Sequence, residues 1–174
     1  MSAITTQPEN KSFLSPIGFK FTLNRIPHVN YFCTNAEVPD ISMGQIDTVE
    51  NTFIKLPVPG DKLQFGLFNL RFRVDEDMKN YIEIYDWLIG LGYPDNFEQH
   101  ANIARGIQDV GKVYSDGSLI ITTSSYKPNI EVKFIDMYPV SLTSVPFSIE
   151  GTDVDYVQAD VNFAYRKYEL IKIS

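Results

Sequence analysis

The chain has 174 residues, of which 44% are hydrophobic and 21% charged, and its formal net charge at neutral pH is −7. This composition is typical of a globular protein and excludes a disordered polyampholyte. No stretch approaches the roughly 18 uninterrupted apolar residues of a membrane span. The excess of acidic over basic residues argues against a protein that binds the phosphate backbone of nucleic acids. We therefore expect one soluble, acidic domain without membrane association.

The N-terminal third of the chain carries one clear strand signal. Residues 1–15 are mostly polar and are predicted to form an arm, followed by a single domain over residues 16–174. Phe19 to Leu23 alternates apolar and polar side chains, which predicts a half-buried strand that Pro27 ends. A second strand is predicted over residues 30–37. The segment 39–52 is too polar for a core strand and too long for a tight turn.

The middle of the chain changes from strand to helix periodicity. Phe53 to Val58 predicts a short strand, and Pro59-Gly60 is a type II turn signal. Residues 68–74 alternate strictly and give the clearest strand. Asp75 is a favourable N-cap. The apolar residues that follow recur at helical spacing, and they define the predicted inward face of an amphipathic helix that ends at Gly90: Met78, Ile82, Tyr85, Leu88 and Ile89.

Strands return in the last third. Residues 95–111 show no clear pattern, and Asp116-Gly117 predicts a hairpin turn between two strands. Strands are also predicted over residues 130–135 and, as one long element, 157–165. Because no helix-length crossover recurs, the strands are expected to be antiparallel. The predicted class is mainly β (α+β), with one substantial helix.

Clusters of acidic residues are the first candidates for chemistry. The run over residues 75–77 could hold a divalent cation, but carboxylates at a helix start interact well with the helix dipole, and we favour that capping interpretation. Asp153 and Asp155 alternate, yet no third oxygen donor follows in rhythm, so a solvated strand entry is favoured over a metal site. We expect no metal and no cofactor.

Histidine and cysteine are too sparse for a catalytic arrangement. His28 and His100 have no nucleophile at a motif spacing and are interpreted as surface residues. Cys33, the only cysteine, alternates with Tyr31 and is interpreted as a packed thiol. The chain is therefore not expected to be an enzyme.

Arg71 and Arg73 lie on one predicted strand beside aromatic residues. That pattern is found in base-stacking platforms. In an acidic chain we favour an outer face or a subunit contact.

The order of these segments resembles the tail tube proteins of contractile-tailed bacteriophages, and more distantly the ring-forming tube proteins of type VI secretion. The similarity is carried by the Phe19-x-Phe21 strand and by four further stretches: residues 31–39, residues 54–62 with the strand and helix up to Leu88, residues 129–141, and residues 157–168. The resemblance implies an antiparallel β-sandwich or barrel-like subunit that forms hexameric rings through which double-stranded DNA passes without sequence-specific binding. It also implies a virion protein, assembled in the host cytoplasm, with sheath and baseplate or neck proteins as partners.

We accordingly expect a virion structural protein that forms the inner tail tube by ring closure and stacking. The alternatives are a tube-initiating (baseplate) or tube-terminating (neck) protein of the same fold and, less favoured, a β-sandwich ligand-binding module. Ring closure needs heterologous contacts between copies. The candidate subunit or inter-ring contacts are the scattered apolar residues of the segment 39–52: Ile41, Met43, Ile46 and Val49.

An acidic or neutral channel should let DNA slide, because a basic one would hold it by counterion release. The polar positions of the last predicted strand are candidate lumen-facing residues: Gln158, Asp160 and Asn162. Glu131 and Lys133 on an earlier strand are further candidates.

Overall fold

The structure, a computed structural model, describes residues 12–49, 55–92, 113–149 and 156–173. These parts contain nine strands and two helices. The strands are β1 (Phe19–Leu23), β2 (Cys33–Ala36), β3 (Ile41–Val49), β4 (Lys55–Phe65), β5 (Phe68–Arg73), β6 (Ser115–Thr122), β7 (Pro128–Leu142), β8 (Gln158–Ala164) and β9 (Lys167–Lys172). The helices are α1 (Pro27–Phe32) and α2 (Lys79–Gly92). All strand pairs are antiparallel, so the mainly β class is confirmed, with two helices in place of one.

Two sheets share the long strand β7. The first sheet has the order β1-β6-β7-β9 and the second the order β2-β5-β8-β7. The first part of β7, up to Ile135, pairs with both β6 and β9, whereas its last part, from Tyr138, pairs with β8. Asp136 lies between the two parts and has a φ of 57°. Phe134 and Met137 on either side of it are both buried although they are three residues apart, so the alternation of inward and outward side chains shifts by one residue at this point. This irregularity at Asp136 allows β7 to pair with strands of both sheets.

The core between the sheets is built on aromatic rings. The ring of Phe68 lies 4.6 Å from that of Phe134 and 5.2 Å from that of Phe21, measured between centroids. Trp87 of α2 reaches Phe163 of β8 at 6.2 Å, so the helix closes one side of the same core. Because large apolar side chains supply most of the folding free energy, this cluster is what holds the sheets together.

The strictly alternating strands were predicted correctly. In β1, Phe21 and Leu23 are buried. In β5 the buried side chains are Phe68, Leu70 and Phe72, and in β8 they are Ala159, Val161 and Phe163. The last predicted strand is β8, and β9 continues beyond it along β7 in the same antiparallel register, with Phe163 opposite Pro139 and Lys167 opposite Ile135; only residues 165–166 interrupt the pairing.

The predicted strand over residues 30–37 is wrong in its first half. β1 already ends at Leu23, and Pro27 begins α1 instead of ending a strand, since a proline at the first helical position loses no hydrogen bond. Val29 of this helix is buried. The Asn30 side chain accepts from the Leu23 backbone N–H at 2.8 Å and donates to its carbonyl at 3.1 Å. These contacts bind α1 to β1, and only Cys33–Ala36 is left to form β2.

The hairpin turn predicted at Asp116-Gly117 is also wrong. Both residues lie within β6, and the chain turns at residues 123–127 instead. The register with β7 shifts here, and the Asp116 carboxylate accepts a 3.1 Å hydrogen bond from the Asp136 N–H. A Cβ at Gly117 would lie 2.7 Å from the sulfur of Met137. The glycine is therefore needed for close packing and not for a turn.

Helix α2 begins at Lys79, three residues later than the predicted start after the N-cap Asp75, and Met78 before it has a φ of 54°. The Asp75 carboxylate still accepts a long, 3.4 Å hydrogen bond from the Asn80 N–H, which retains part of its predicted capping role.

The predicted inward face of α2 is correct at Leu88, which packs against the core, and wrong at Ile82 and Tyr85. The helix buries the side of Asn80, Ile84 and Trp87, whereas Ile82 and Tyr85 are 47% and 51% exposed. The indole of Trp87 is the larger group and takes the core position against Phe163. Burial of the larger apolar area decides the orientation of the helix.

Several predictions lie outside the described residues. They concern Phe53, residues 95–111, His100, and the Asp153 and Asp155 pair. The division into an arm over residues 1–15 and one domain also stays a prediction. Within the described ranges, no helix is both long and apolar enough to cross a membrane.

Candidate assembly surfaces

The segment 39–52 contains a strand that its weak hydrophobic rhythm does not predict. Residues 41–49 form β3, which pairs with β4 in a separate two-stranded sheet. We call β3 and β4 together the hairpin arm. Residues with apolar side chains face one another across it, Met43 opposite Leu63 and Ile46 opposite Val58. Neither strand packs extensively on any other described element, so the hairpin arm projects from the body.

The Pro59-Gly60 turn is likewise absent, because both residues lie inside β4. The register of the two strands shifts between Met43 and Gln45, and there the chains approach closely. A Cβ at Gly60 would lie 2.5 Å from the carbonyl oxygen of Gly44. Glycine at this position permits the irregular pairing without a steric clash.

Two tyrosines fix the base of the hairpin arm. The hydroxyl of Tyr165 donates to the Gly66 carbonyl at 2.7 Å, and that of Tyr168 donates to the Pro39 carbonyl at 3.3 Å. The Phe65 ring packs between them, at 6.2 Å from Tyr165 and 5.4 Å from Tyr168. Burial raises the pKa of Tyr165 to about 12, with smaller contributions from Tyr168 and Asp40, so this hydroxyl stays protonated and remains a donor at physiological pH.

The hairpin arm exposes the apolar residues that were predicted as contacts. Ile41 and Met43 are each 52% exposed and Ile46 is 58% exposed, while Val58 and Leu63 add to the same arm. The side chain of Val49 lies outside the described residues. Several large apolar side chains exposed together on a projecting element are typical of a protein interface. The contact role itself stays a prediction.

The second surface is the outward side of the second sheet, which we call the polar face. Gln158, Asp160 and Asn162 point away from the core on β8, as the alternation predicted. Arg71 of β5 lies opposite Asp160, and its guanidinium binds both carboxylate oxygens, at 2.6 and 3.1 Å. Whether this side lines a channel stays a prediction.

A row of neutral side chains continues the polar face beside this ion pair. Asn69 donates to Asn162 at 3.0 Å, and Asn162 donates to Ser141 at 2.9 Å. Glu131 and Lys133, the other candidates for a channel lining, lie in the part of β7 that belongs to the first sheet. They are therefore not part of the polar face.

The remaining candidate residues have structural roles. His28 of α1 is exposed and contacts the carboxylate of Glu83 on α2, which agrees with its interpretation as a surface residue. Cys33 packs against the core, and burial raises the pKa of its thiol to about 12, as expected of a packed and unreactive cysteine. Within the described residues, no three His, Cys, Asp or Glu side chains come together as a metal site.

Comparison with known proteins identifies the family. The model of the phage tail tube protein family matches residues 4–171, nearly the whole chain, and the chain belongs to this family. It is thus a tail-tube-related structural protein and a component of the virion tail. This confirms the resemblance and agrees with the expectation of a non-enzymatic protein.

Individual relatives narrow the comparison. The chain is 29% identical over 154 residues to the tail tube terminator protein of Enterobacteria phage T4, covering 83% of this chain and 84% of that protein. Among solved structures, it is similar to the tube-terminating cap of the anti-feeding prophage, with a TM-score of 0.64, 15% identity and 99% of each chain covered. It is also similar to a chain of the sheath-tube complex of the PVC extracellular contractile injection system, with a TM-score of 0.63, 16% identity and 99% of each chain covered. These structural likenesses concern the fold.

Proposed function

We propose that this chain closes into a hexameric ring that terminates the tail tube of a contractile phage tail, and that double-stranded DNA passes through the ring. The observation that carries the proposal is the similarity to the tail tube terminator of phage T4, which extends over more than four-fifths of both chains. A terminator must bind the last tube ring on one side and present a different surface on the other. Its partners would be the tube, the sheath and neck proteins, with assembly in the host cytoplasm.

The second sheet has two open edges through which neighbouring copies could pair to close a ring. β2 is one edge, and the last part of β7 is the other. β2 has only four residues, and β7 exposes Val140 beside this edge. Pairing β2 of one copy with β7 of the next would satisfy the open backbone groups of both edges. Such a contact is heterologous, and it closes a ring when the rotation between copies allows it.

The hairpin arm supplies a second contact, and we propose that its occupant is another copy of this chain or of a related tube subunit. Its apolar residues Ile41, Met43 and Ile46 are exposed in the isolated subunit. The two tyrosine anchors hold the arm in one direction, which reduces the conformational entropy lost when it binds. Val49 belongs to the same proposed contact.

The polar face is the side that we propose lines the channel. Its candidate residues Gln158, Asp160 and Asn162 lie on one side of β8, and their neighbours on β5 and β7 are polar too. If the second sheet continues from copy to copy, this side repeats around the ring as a continuous polar lining.

Negative-stain imaging of the purified protein tests the proposal. A terminator should form single rings, and added phage tail tubes should carry a ring at one end. Ile46→Asp should abolish rings, because it places a charge in the proposed contact. Ile82→Asp, on the exposed side of α2, is the matched control and should leave rings intact. A parent protein that stays monomeric at high concentration would contradict ring formation and favour a ligand-binding module.

The repeating subunit of the inner tube is the second candidate. The similarity to the sheath-tube complex has nearly the same TM-score as that to the terminating cap, so the fold suits both roles. Long tubes in place of single rings would support this candidate over the terminator.

A further inference from the structure

The polar face contains an ion pair whose arrangement bears on DNA passage, and the inference drawn from it rests on the proposed function. Arg71 and Asp160 face each other in register on neighbouring strands. The guanidinium binds the carboxylate as a fork, Nε to Oδ1 at 2.6 Å and Nη2 to Oδ2 at 3.1 Å. Hydrogen bonds and charge from Asp160, with a smaller contribution from Glu37, raise the pKa of Arg71. The cation is therefore offset by nearby negative charge.

The other arginine of this face is engaged as well. The guanidinium of Arg73 lies 4.5 Å from the ring centroid of Tyr156, which stacks beneath it. The outward side of these strands otherwise presents amides, of which Asn69 donates to Asn162 at 3.0 Å, and Asn162 donates to the Ser141 hydroxyl of β7 at 2.9 Å. Among the described residues of β5 and β8, no cation on this face lacks a partner.

DNA affinity depends on cations that reach phosphates. Each phosphate that a Lys or Arg neutralises releases counterions and steepens the salt dependence of binding by about 0.9 in log–log slope. An Arg fork already bound to a carboxylate has fewer donors to offer a phosphate. The pair is also exposed, with Arg71 48% accessible, and exposed pairs contribute little to stability. The main consequence of this ion pair is therefore that it cancels the positive charge of Arg71 on the surface, and not that it stabilises the fold.

We propose that Asp160 neutralises Arg71 so that the channel lining does not retain duplex DNA. The Asp160 carboxylate binds the Arg71 guanidinium on the neighbouring strand. This ion pair keeps the guanidinium from binding a DNA phosphate. Repeated in every copy of a ring, one such cation per subunit would form a belt of phosphate contacts if Asp160 were neutral.

The test measures retention of a fluorescent duplex by assembled rings. Asp160→Asn should raise the association constant about tenfold or more at 50 mM salt, and the gain should largely disappear at 200 mM. Asp160→Asn combined with Arg71→Gln should return to the parent value. Asp77→Asn is the matched control, because Asp77 pairs with Lys79 at 2.7 Å at the start of α2, which belongs to neither sheet, and its replacement changes the net charge equally. This control should not change retention.

A second variant covers the case in which Asp160→Asn fails to assemble. Gln158→Lys adds an unpaired cation to the same face, and its rings should also retain the duplex. Rings that form but bind no more DNA than the parent in either variant would overturn this inference alone. An equal gain from Asp77→Asn would also overturn it, since net charge would then explain the effect. Absence of rings in the parent protein, seen by imaging, would overturn the proposed function and this inference together.

Discussion

The tyrosine anchors of the hairpin arm give a prediction whose size follows from two hydrogen bonds. Tyr165→Phe removes only the hydroxyl that donates to Gly66 at 2.7 Å, and Tyr168→Phe removes the one that donates to Pro39 at 3.3 Å. The rings remain packed around Phe65, so no cavity opens. The loss is therefore that of the hydrogen bonds and not of packing.

The magnitudes follow from the two bond lengths and from burial. Tyr165 is part-buried and its bond is short, so we expect a loss of about 1 to 2 kcal/mol, including the cost of an unsatisfied carbonyl. The longer bond of Tyr168 should be worth about 0.5 to 1 kcal/mol. With a urea m-value of about 2 kcal/mol/M, the double variant should unfold at a urea concentration lower by about 1 M.

Urea unfolding, followed by tryptophan fluorescence at two protein concentrations, measures these losses and separates them from ring dissociation. Tyr31→Phe is the control, because this tyrosine is 84% exposed, and its stability should equal that of the parent. A double variant within 0.3 kcal/mol of the parent would show that the hydroxyls do not hold the arm. The single variants should also impair ring assembly more than their small stability losses explain.

The dependence on pH gives an independent check of Tyr165. Its pKa is raised from 10.0 to about 12, so the folded state holds this proton more tightly than the unfolded state. The stability from the anchor is complete below pH 10 and is lost as the pH rises through 12. The stability difference between the parent and Tyr165→Phe should therefore narrow from pH 10 to pH 12, and a constant difference would contradict the anchor.

Three further predictions concern the core. Asn80 is fully buried and donates to the Arg73 carbonyl at 2.7 Å, so Asn80→Ala should cost about 2 to 3 kcal/mol in urea unfolding, and a loss below 0.5 kcal/mol would contradict this. Phe68→Ala should lower the free energy of unfolding by about 3 to 5 kcal/mol, whereas Phe68→Leu, which fills more of the space, should lower it by only about 1 to 1.5 kcal/mol. Equal losses for the two variants would contradict a central place for Phe68 in the aromatic cluster. Cys33, with its pKa raised to about 12, should react with a thiol reagent at pH 8 about a hundredfold more slowly in the folded than in the urea-unfolded protein, and equal rates would show an exposed thiol.

The sequence predicts those strands in which burial is one-sided. β5 and β8 each bury every second side chain, so their alternation is visible without the structure. The hairpin arm exposes its apolar residues and is held by backbone pairing, so it leaves no burial pattern to read. Pro27 and Gly117 were misread because each permits more than one structure. A proline can end a strand or begin a helix, and a glycine can serve a turn or a close contact.

The candidate surfaces were predictable only in part. Alternation alone places Asp160 on the outward side of its strand. Its partner Arg71 is separated from it by 89 residues, and only the pairing of β5 with β8 brings the two together. The tyrosine anchors were missed for a similar reason, because the hydrogen bond of Tyr165 to Gly66 joins residues that are 99 positions apart in the chain.

The shared strand β7 has a mechanical consequence. Its 15 residues run from one sheet into the other without a break in the chain. A tensile load applied to either sheet is therefore transmitted to the other along covalent bonds, as well as through the contacts of the aromatic core. Peeling the two layers apart would require stripping β7 from β8 or from β6 and β9, one ladder at a time. A subunit built in this way should resist shear as a single rigid block.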